Sequence, residues 1–193
     1  MPYTTEHKAR SRDRILGAAG RLFTARGFEN VTIDEVMAAA GMTRGAFYAH
    51  FPNKAALYAE SIVNAAANNP RVQALSRAEP GVEQLCRLAA TYLSHDHVDG
   101  RSESCPLGFM VTDIVNREPE GQHAYTLVFQ RFAELIAGQL QGSGEAKWQR
   151  AYAISAMMIG GVALGRAVND RQTVNALLAS CREAVQQLAT DLG

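Results

Sequence analysis

Apolar positions recur at helical spacing along this chain of 193 residues. In the first segment, Ile15, Ala18, Ala19, Leu22 and Phe23 follow the i, i+3, i+4, i+7, i+8 pattern of one apolar helix face. Similar patterns predict helices at 82–96, 106–117, 120–141, 146–168 and 172–191, whereas 71–81 receives no clear assignment. No alternating strand pattern of useful length occurs, so we predict an all-α fold.

Short helices are predicted close together within the first 60 residues. Thr32 and Glu35 have the spacing of a capping box, which begins a second helix. Thr43 is expected to cap a third helix of little more than two turns, which Pro52 stops. Asn53 is expected to cap a fourth. A helix as short as the third buries too little to serve mainly as a core element.

The short third helix has two different sides on a wheel of about 100° per residue. Phe47 and Phe51 lie on one side and should anchor it. The other side combines a cation, an aromatic hydroxyl and small residues: Arg44, Gly45, Tyr48 and Ala49. Its length of about 12 Å is comparable to the width of the DNA major groove. With the preceding helix it forms a helix-turn-helix, in which Arg44 reaches base edges and Tyr48, His50 and Lys54 contact phosphates.

Charge is balanced overall but unevenly placed. The chain carries 19 basic and 19 acidic residues, so it is not a general polyanion binder. Within residues 1–28, however, six basic side chains face two acidic ones. A local basic face of this kind can steer a phosphate backbone even when the net charge is zero.

Residues 10–60 closely resemble the DNA-binding domain of the tetracycline-repressor (TetR) family of bacterial transcription regulators. The resemblance lies in the run TIDEVMAAAGMTRGAFYAHFPNKAAL and in ILGAAGRLFTARGFENVT before it. It implies a three-helix DNA-binding domain at 1–58 and a larger ligand-binding and dimerisation domain at 59–193. It also implies DNA contacts by a set of six residues, with double-stranded palindromic DNA as the partner: Thr43, Arg44, Gly45, Tyr48, His50 and Lys54.

The larger body carries features that fit a homodimer with a small-molecule effector. Small residues spaced three or four apart allow two helices to approach closely: Ala153, Ala156, Gly160, Ala163 and Ala167. The last helix offers a second apolar face: Leu177, Leu178, Cys181, Val185 and Leu188. Six large side chains are candidates for lining an effector pocket: Tyr92, Phe109, Met110, Tyr125, Phe129 and Trp148. Asp113 is the candidate polar contact. Large apolar residues at helical spacing are, however, more often ordinary core residues.

Cysteine and histidine positions offer two further candidates. Cys105 stands at a predicted helix start, where a thiol pKa can be lowered, and is a possible sensor of oxidants or electrophiles; a quiet structural role is the alternative. His95 and His97 cannot chelate together on a helix, so no metal site is expected. Three scattered cysteines, no signal segment and no long apolar run favour a soluble cytoplasmic protein without a membrane association.

The sequence therefore predicts a ligand-responsive dimeric transcriptional repressor. Activation, or a response to redox state or a protein partner, stays open. A small all-α enzyme or carrier is the weaker alternative, because no GxSxG motif, no phosphate-binding glycine loop and no metal-ligand spacing is present, and no cofactor is expected.

Overall fold

The computed structural model describes residues 5–101 and 105–191, and all regular secondary structure within these ranges is helical. Two short 3₁₀ segments, Arg44–Ala49 and Ile114–Asn116, accompany the α-helices. The α-helices of the described residues are α1 (Thr5–Arg26), α2 (Ile33–Ala39), α3 (Lys54–Ala67), α4 (Pro70–Arg77), α5 (Val82–Tyr92), α6 (His95–Val98), α7 (Pro106–Phe109), α8 (Pro119–Gln139), α9 (Gly144–Ala167) and α10 (Arg171–Thr190). The all-α prediction is confirmed.

Two predicted helices are divided in the structure. The helix predicted at 82–96 ends at Tyr92, and α6 begins after Ser94, whose hydroxyl accepts a hydrogen bond from the His97 amide at 3.3 Å. The helix predicted at 106–117 consists of α7 and the 3₁₀ segment Ile114–Asn116. The unassigned stretch contains α4, which Asn69 caps through its side chain.

The first three helices contribute apolar side chains to a core that continues into the rest of the chain. Ile15, Phe23 and Val36 are almost fully buried there. The predicted capping box at the start of α2 is confirmed: the Thr32 hydroxyl accepts from the Glu35 amide at 3.2 Å, and the Glu35 carboxylate accepts from the Thr32 amide at 2.8 Å. Hydrogen bonds to Thr32, with help from Arg26, lower the pKa of Glu35 to about 2.

The body is built around α3, α8, α9 and α10. The α3 helix packs on both α1 and α8, so the expected division at residue 58 falls inside a helix shared by both parts. Where α9 crosses the Leu93–Val98 region it carries Gly161 and Gly165; a Cβ at Gly161 would lie 2.7 Å from Leu93 Cδ2. In the described residues, no helix has the length and apolar character needed to cross a membrane.

Candidate functional site

The segment Arg44–Ala49 has one buried and one open side. It is a 3₁₀ helix instead of the α-helix assumed for the wheel, which is common for pieces this short. Phe47 is fully buried and Phe51 is 1% exposed, with ring centroids 5.9 Å apart. Tyr48 projects outward with 62% of its surface exposed. The other exposed residues of this face are Arg44, Gly45 and Ala49.

The turn before this segment is tied to α1. Gly41 has φ of +66°, a left-handed conformation that glycine adopts without steric cost. The Arg14 guanidinium donates to the Ala40 carbonyl at 2.5 Å. Thr43 occupies the N-cap position, as predicted, but its hydroxyl makes no capping hydrogen bond, so the expected side-chain cap is wrong. That hydroxyl is therefore not engaged in holding the helix.

Arg44 forms an ion pair on the surface. Its Nη1 donates to Asp34 Oδ2 on α2 at 2.7 Å, and both side chains are more than half exposed. Solvent-exposed pairs of this kind contribute little to stability. The guanidinium can therefore exchange the carboxylate for acceptors on a nucleic acid. Sequence reasoning missed Asp34, whose only signal was its place in the first turn of α2.

His50 connects the open face to the basic part of α1. Its Nδ1 is buried and has no hydrogen-bond partner among the described residues. Burial, assisted by the charges of Lys8 and Arg12, lowers the pKa of the imidazole below its ordinary value. Arg12 also lies over the Phe51 ring at 4.7 Å and pairs with Glu60. Cations of α1 therefore lie near the end of the 3₁₀ segment.

Lys54 lies at the junction between α1 and the body. Its Nζ is 4.1 Å from the centroid of the Phe28 ring, and the Arg117 guanidinium carbon is 4.6 Å from the same centroid. Partial burial lowers the pKa of Lys54. Arg117 also donates to Glu29 at 2.6 Å. The Lys54 side chain, predicted to contact a phosphate, thus lies over an aromatic ring. The sequence pattern did not indicate this contact, because Phe28 and Arg117 are both distant from Lys54 along the chain.

Asp113 joins the two parts of the chain. Its Oδ2 accepts from the Tyr58 hydroxyl at 2.6 Å and from the Phe28 amide at 3.1 Å. A Cβ at Gly27, where φ is +75°, would lie 3.5 Å from Asp113 Oδ1. The Asp113 carboxylate therefore bonds to Phe28, just after α1, and to Tyr58 on α3. It does not line the cavity, so its predicted role as a polar contact for an effector is not supported.

A cavity of about 220 Å³ lies between α3, α4, the start of α7 and α8. Three residues with polar side chains line it: Ser76, Cys105 and Arg131. Arg131 is exposed and makes no ion pair with any carboxylate of the described residues. The rest of the wall is apolar: Val63, Ala66, Ala67, Val72, Leu107, Val128, Phe132 and Leu135.

The side chains predicted to bind an effector are placed elsewhere. Tyr92 and Met110 belong to the buried core, at 2% and 1% exposure. Phe109 lies against His97, with ring centroids 5.4 Å apart, and the Arg166 guanidinium carbon is 3.7 Å from the Phe109 centroid. Periodicity identifies large apolar residues, but it does not tell which of them border an empty space.

The remaining three predicted aromatic residues lie on α8 and α9. The Tyr125 hydroxyl donates to the Leu107 carbonyl at 2.7 Å. Phe129 and Trp148 both contact Tyr152, with ring centroids 6.1 and 5.8 Å apart, and Trp148 and Tyr152 are 39% and 47% exposed. These last rings form an outer aromatic cluster and do not line the cavity.

Cys105 is 3% exposed and stands at the N-cap position of α7. Burial raises the pKa of its thiol, and hydrogen bonds with Tyr92 and with the backbone of Leu107 and Gly108, together with the charge of Arg71, oppose this only in part. The lowering of the thiol pKa expected at a helix start is therefore outweighed by burial. The Cys105 amide donates to His97 Nε2 at 3.2 Å, and His97 Nδ1 donates to the Tyr92 carbonyl at 2.7 Å. The geometry gives a redox role for Cys105 no support.

The two histidines of 95–99 face different neighbours. His97 is fully buried, whereas His95 contacts Asn175 on α10. Asp99 pairs with Arg171 at 3.1 Å. Within 5–101 and 105–191, no group of three or more His, Cys, Asp or Glu side chains is arranged to hold a metal ion.

The outer face of α9 and α10 is partly open. The small residues of α9 are exposed or half-buried: Ala153, Ala156, Gly160, Ala163 and Ala167. On α10, three of the five residues predicted for a partner turn into the chain's own core: Leu178, Cys181 and Val185. Leu177 and Leu188 are half-buried beside the open stripe. A partner surface here would therefore be made mainly by α9.

Comparisons with known proteins agree with this geometry. Residues 15–61 match the family described as "Bacterial regulatory proteins, tetR family". The chain is 40% identical over 57 residues to the HTH-type transcriptional regulator AcrR of Shigella flexneri, covering 30% of this chain and 26% of AcrR. It is 35% identical over 111 residues to the HTH-type transcriptional regulator TtgR of Pseudomonas putida, covering 55% of this chain and 40% of TtgR. The matches thus span well under half the length of these relatives.

Solved structures share the whole fold. A TetR transcriptional regulator from Legionella pneumophila superposes with a TM-score of 0.76 at 18% identity, covering 97% of this chain and 98% of that one. Reduced NemR from E. coli superposes with a TM-score of 0.75 at 17% identity, covering 93% and 97%. The relatives that match over the helix-turn-helix are named as transcriptional regulators. Residues 15–61 thus match the DNA-binding region of the TetR family, and the chain as a whole shares the fold of TetR-family regulators.

Proposed function

We propose that this chain is a dimeric repressor that binds a palindromic operator and is released from it by a small effector. The observation that carries the proposal is the open face of Arg44–Ala49, held outward by the buried rings of Phe47 and Phe51. Such a face contributes little to the stability of the isolated chain, because its side chains are exposed instead of buried. It suits insertion into a DNA groove.

The roles proposed for the six contact residues follow from their positions. A six-residue 3₁₀ segment rises about 2 Å per residue and so spans about 12 Å, close to the width of the major groove. Gly45 allows the backbone to approach base edges, and Arg44 can bond to guanine acceptors. Contacts to phosphates are assigned to the other four: Thr43, Tyr48, His50 and Lys54.

A second copy of the chain is proposed to pack on the open stripe of α9. Small residues at Ala156 and Gly160 let two helices come close, and a Cβ at Gly160 would meet no atom within 4 Å. Two-fold symmetry would present two 3₁₀ segments to successive major grooves. We accordingly assign residues 1–58 to DNA binding and 59–193 to dimerisation and effector binding.

The effector is proposed to act through α3. This helix begins at Lys54, a short turn after the 3₁₀ segment ends at Ala49, and its other end supplies Val63 and Ala66 to the cavity wall. A ligand that prefers a shifted α3 would lower DNA affinity, and DNA would lower ligand affinity by the same factor. The Asp113 carboxylate, bonded to Tyr58 and Phe28, would transmit the same movement to α1.

Selection of bound sequences from a random DNA pool tests the proposal, with a palindrome as the expected product. On the enriched site, Arg44→Ala should reduce the preference for the correct sequence over random DNA. Lys54→Ala should weaken binding about equally on all sequences, and Arg87→Ala, on α5, serves as the matched charge control. Equal losses on specific and random DNA for Arg44→Ala would refute its role in base recognition.

A further inference from the structure

The cavity between α3, α4 and α8 has a defined size and chemistry. We propose that it binds a small apolar molecule that consists of one ring and a single carboxylate. The effect of this ligand on DNA binding rests on the proposed function above. The carboxylate lies at the mouth beside Arg131, and the ring points inward against Leu107 and Phe132.

The volume limits the ligand to a single ring with a short substituent. An apolar cavity of about 150 Å³ is large enough to accept benzene. At the packing density of protein interiors, roughly 0.75, a cavity of 220 Å³ is filled by about ten non-hydrogen atoms. Extended multi-ring compounds would not fit without movement of α3 or α8.

The charge around the cavity favours an anion. Arg131 is the one charged residue among the described residues that line the cavity, and no Asp or Glu is among them. Arg131 makes no ion pair within the part of the chain that the structure describes, so it has a charge to offer a ligand. Arg71 is close enough for its charge to act on Cys105 at the cavity wall. A cleft lined by charge of one sign raises the local concentration of the opposite ion.

The distribution of polar groups sets the orientation. The inner wall carries Leu107, Val128 and Phe132, each no more than 6% exposed, with the protonated Cys105 thiol beside them. Neither this wall nor the thiol offers a charged partner to a buried carboxylate, and burying a carboxylate without such a partner costs much free energy. The charged end must therefore remain at the exposed arginine, where water also reaches it.

Calorimetric titration of the full chain in the absence of DNA tests this directly. The probes are benzoate and 3-phenylpropanoate, each compared with its neutral amide, and with phenethylamine as the cation. We expect the carboxylates to bind at least tenfold more tightly than the amides, and the amine not to bind. Arg131→Gln should remove the preference for the acid, Arg131→Lys should keep part of it, and Arg77→Gln should leave it unchanged, because Arg77 does not line the cavity.

A substitution that fills the cavity with a larger side chain provides a second test of the proposal. Ala66→Leu adds three carbons to the α3 wall and should abolish binding, with folding checked by circular dichroism. Equal affinity for acid and amide, carboxylate binding that survives Arg131→Gln, or no binding of any probe would each overturn the proposal. Carboxylate binding that fails to alter operator affinity would leave the cavity assignment standing and refute the effector role proposed above.

Discussion

The buried His97 should make the stability of the protein depend on pH in a defined window. Burial lowers the pKa of His97 from about 6.5 to about 4, although its bond to the Tyr92 carbonyl favours the charged form. In the unfolded chain the ordinary pKa returns, so between pH 4 and 6.5 the unfolded state binds more protons than the folded state. The free energy of unfolding therefore rises with pH across this window.

The magnitude follows from the difference between the two pKa values. Each pH unit between them is worth about 1.4 kcal/mol, so His97 should contribute about 3 kcal/mol at pH 7 that is lost as the pH falls from 6.5 through 4. Protonation would also break the bond that His97 Nε2 accepts from the Cys105 amide. The loss should thus loosen the start of α7 together with the cavity wall.

Urea unfolding measured at half-unit steps from pH 4 to 8 provides the assay, at one fixed protein concentration. His97→Gln has no titrating ring and should lose most of the difference in unfolding free energy between pH 4.5 and 7. His123→Gln, which removes an exposed histidine from α8, should retain the wild-type dependence. If wild type and His97→Gln changed in parallel with pH, the reasoning from the buried neutral imidazole would be refuted.

Other contacts lead to separate expectations. A double-mutant cycle of Tyr58→Phe and Asp113→Ala, followed by urea unfolding, should give a coupling energy of about 1.5–3 kcal/mol, because the bond involves a charged acceptor; simple additivity would count against the junction. Thr32→Ala should lower the unfolding free energy by about 1 kcal/mol at pH 7 through loss of the capping box. Because the pKa of Glu35 is lowered to about 2, this difference should fade as the pH drops below 4.5 towards 2, and a difference unchanged at pH 2 would contradict it. Ala156→Glu places a carboxylate in the open stripe of α9, so sedimentation analysis should show a monomer, and this monomer should bind the operator more weakly than the wild type. An intact dimer would exclude this stripe as the interface.

The first helices were predictable because local signals decide them. Capping at Thr32 and Asn53, together with the burial of Phe47 and Phe51, follows from spacing along a few residues. The open face at Tyr48 was predictable for the same reason, although the segment winds as a 3₁₀ helix.

The cavity was not predictable because its wall is made by residues from four separated helices. Val63, Ala66 and Val128 have the same pattern as ordinary core positions, and nothing local distinguishes a side chain that borders an empty space. Asp113 was likewise assigned to a pocket, since its partners Tyr58 and Phe28 are distant in sequence. Long-range pairing, not helix formation, limited the prediction.

The central claim is that the open face at Gly45 approaches the floor of a DNA groove. Gly45→Leu tests it most directly, because a Cβ at Gly45 would meet no atom within 4 Å and the substitution should leave the fold unchanged. Gly138→Leu on α8 is the matched control, with the same open surroundings. Fluorescence anisotropy with the enriched operator should show at least a hundredfold weaker binding for Gly45→Leu, about 2.7 kcal/mol, and wild-type binding for Gly138→Leu. Wild-type affinity in Gly45→Leu would contradict the account.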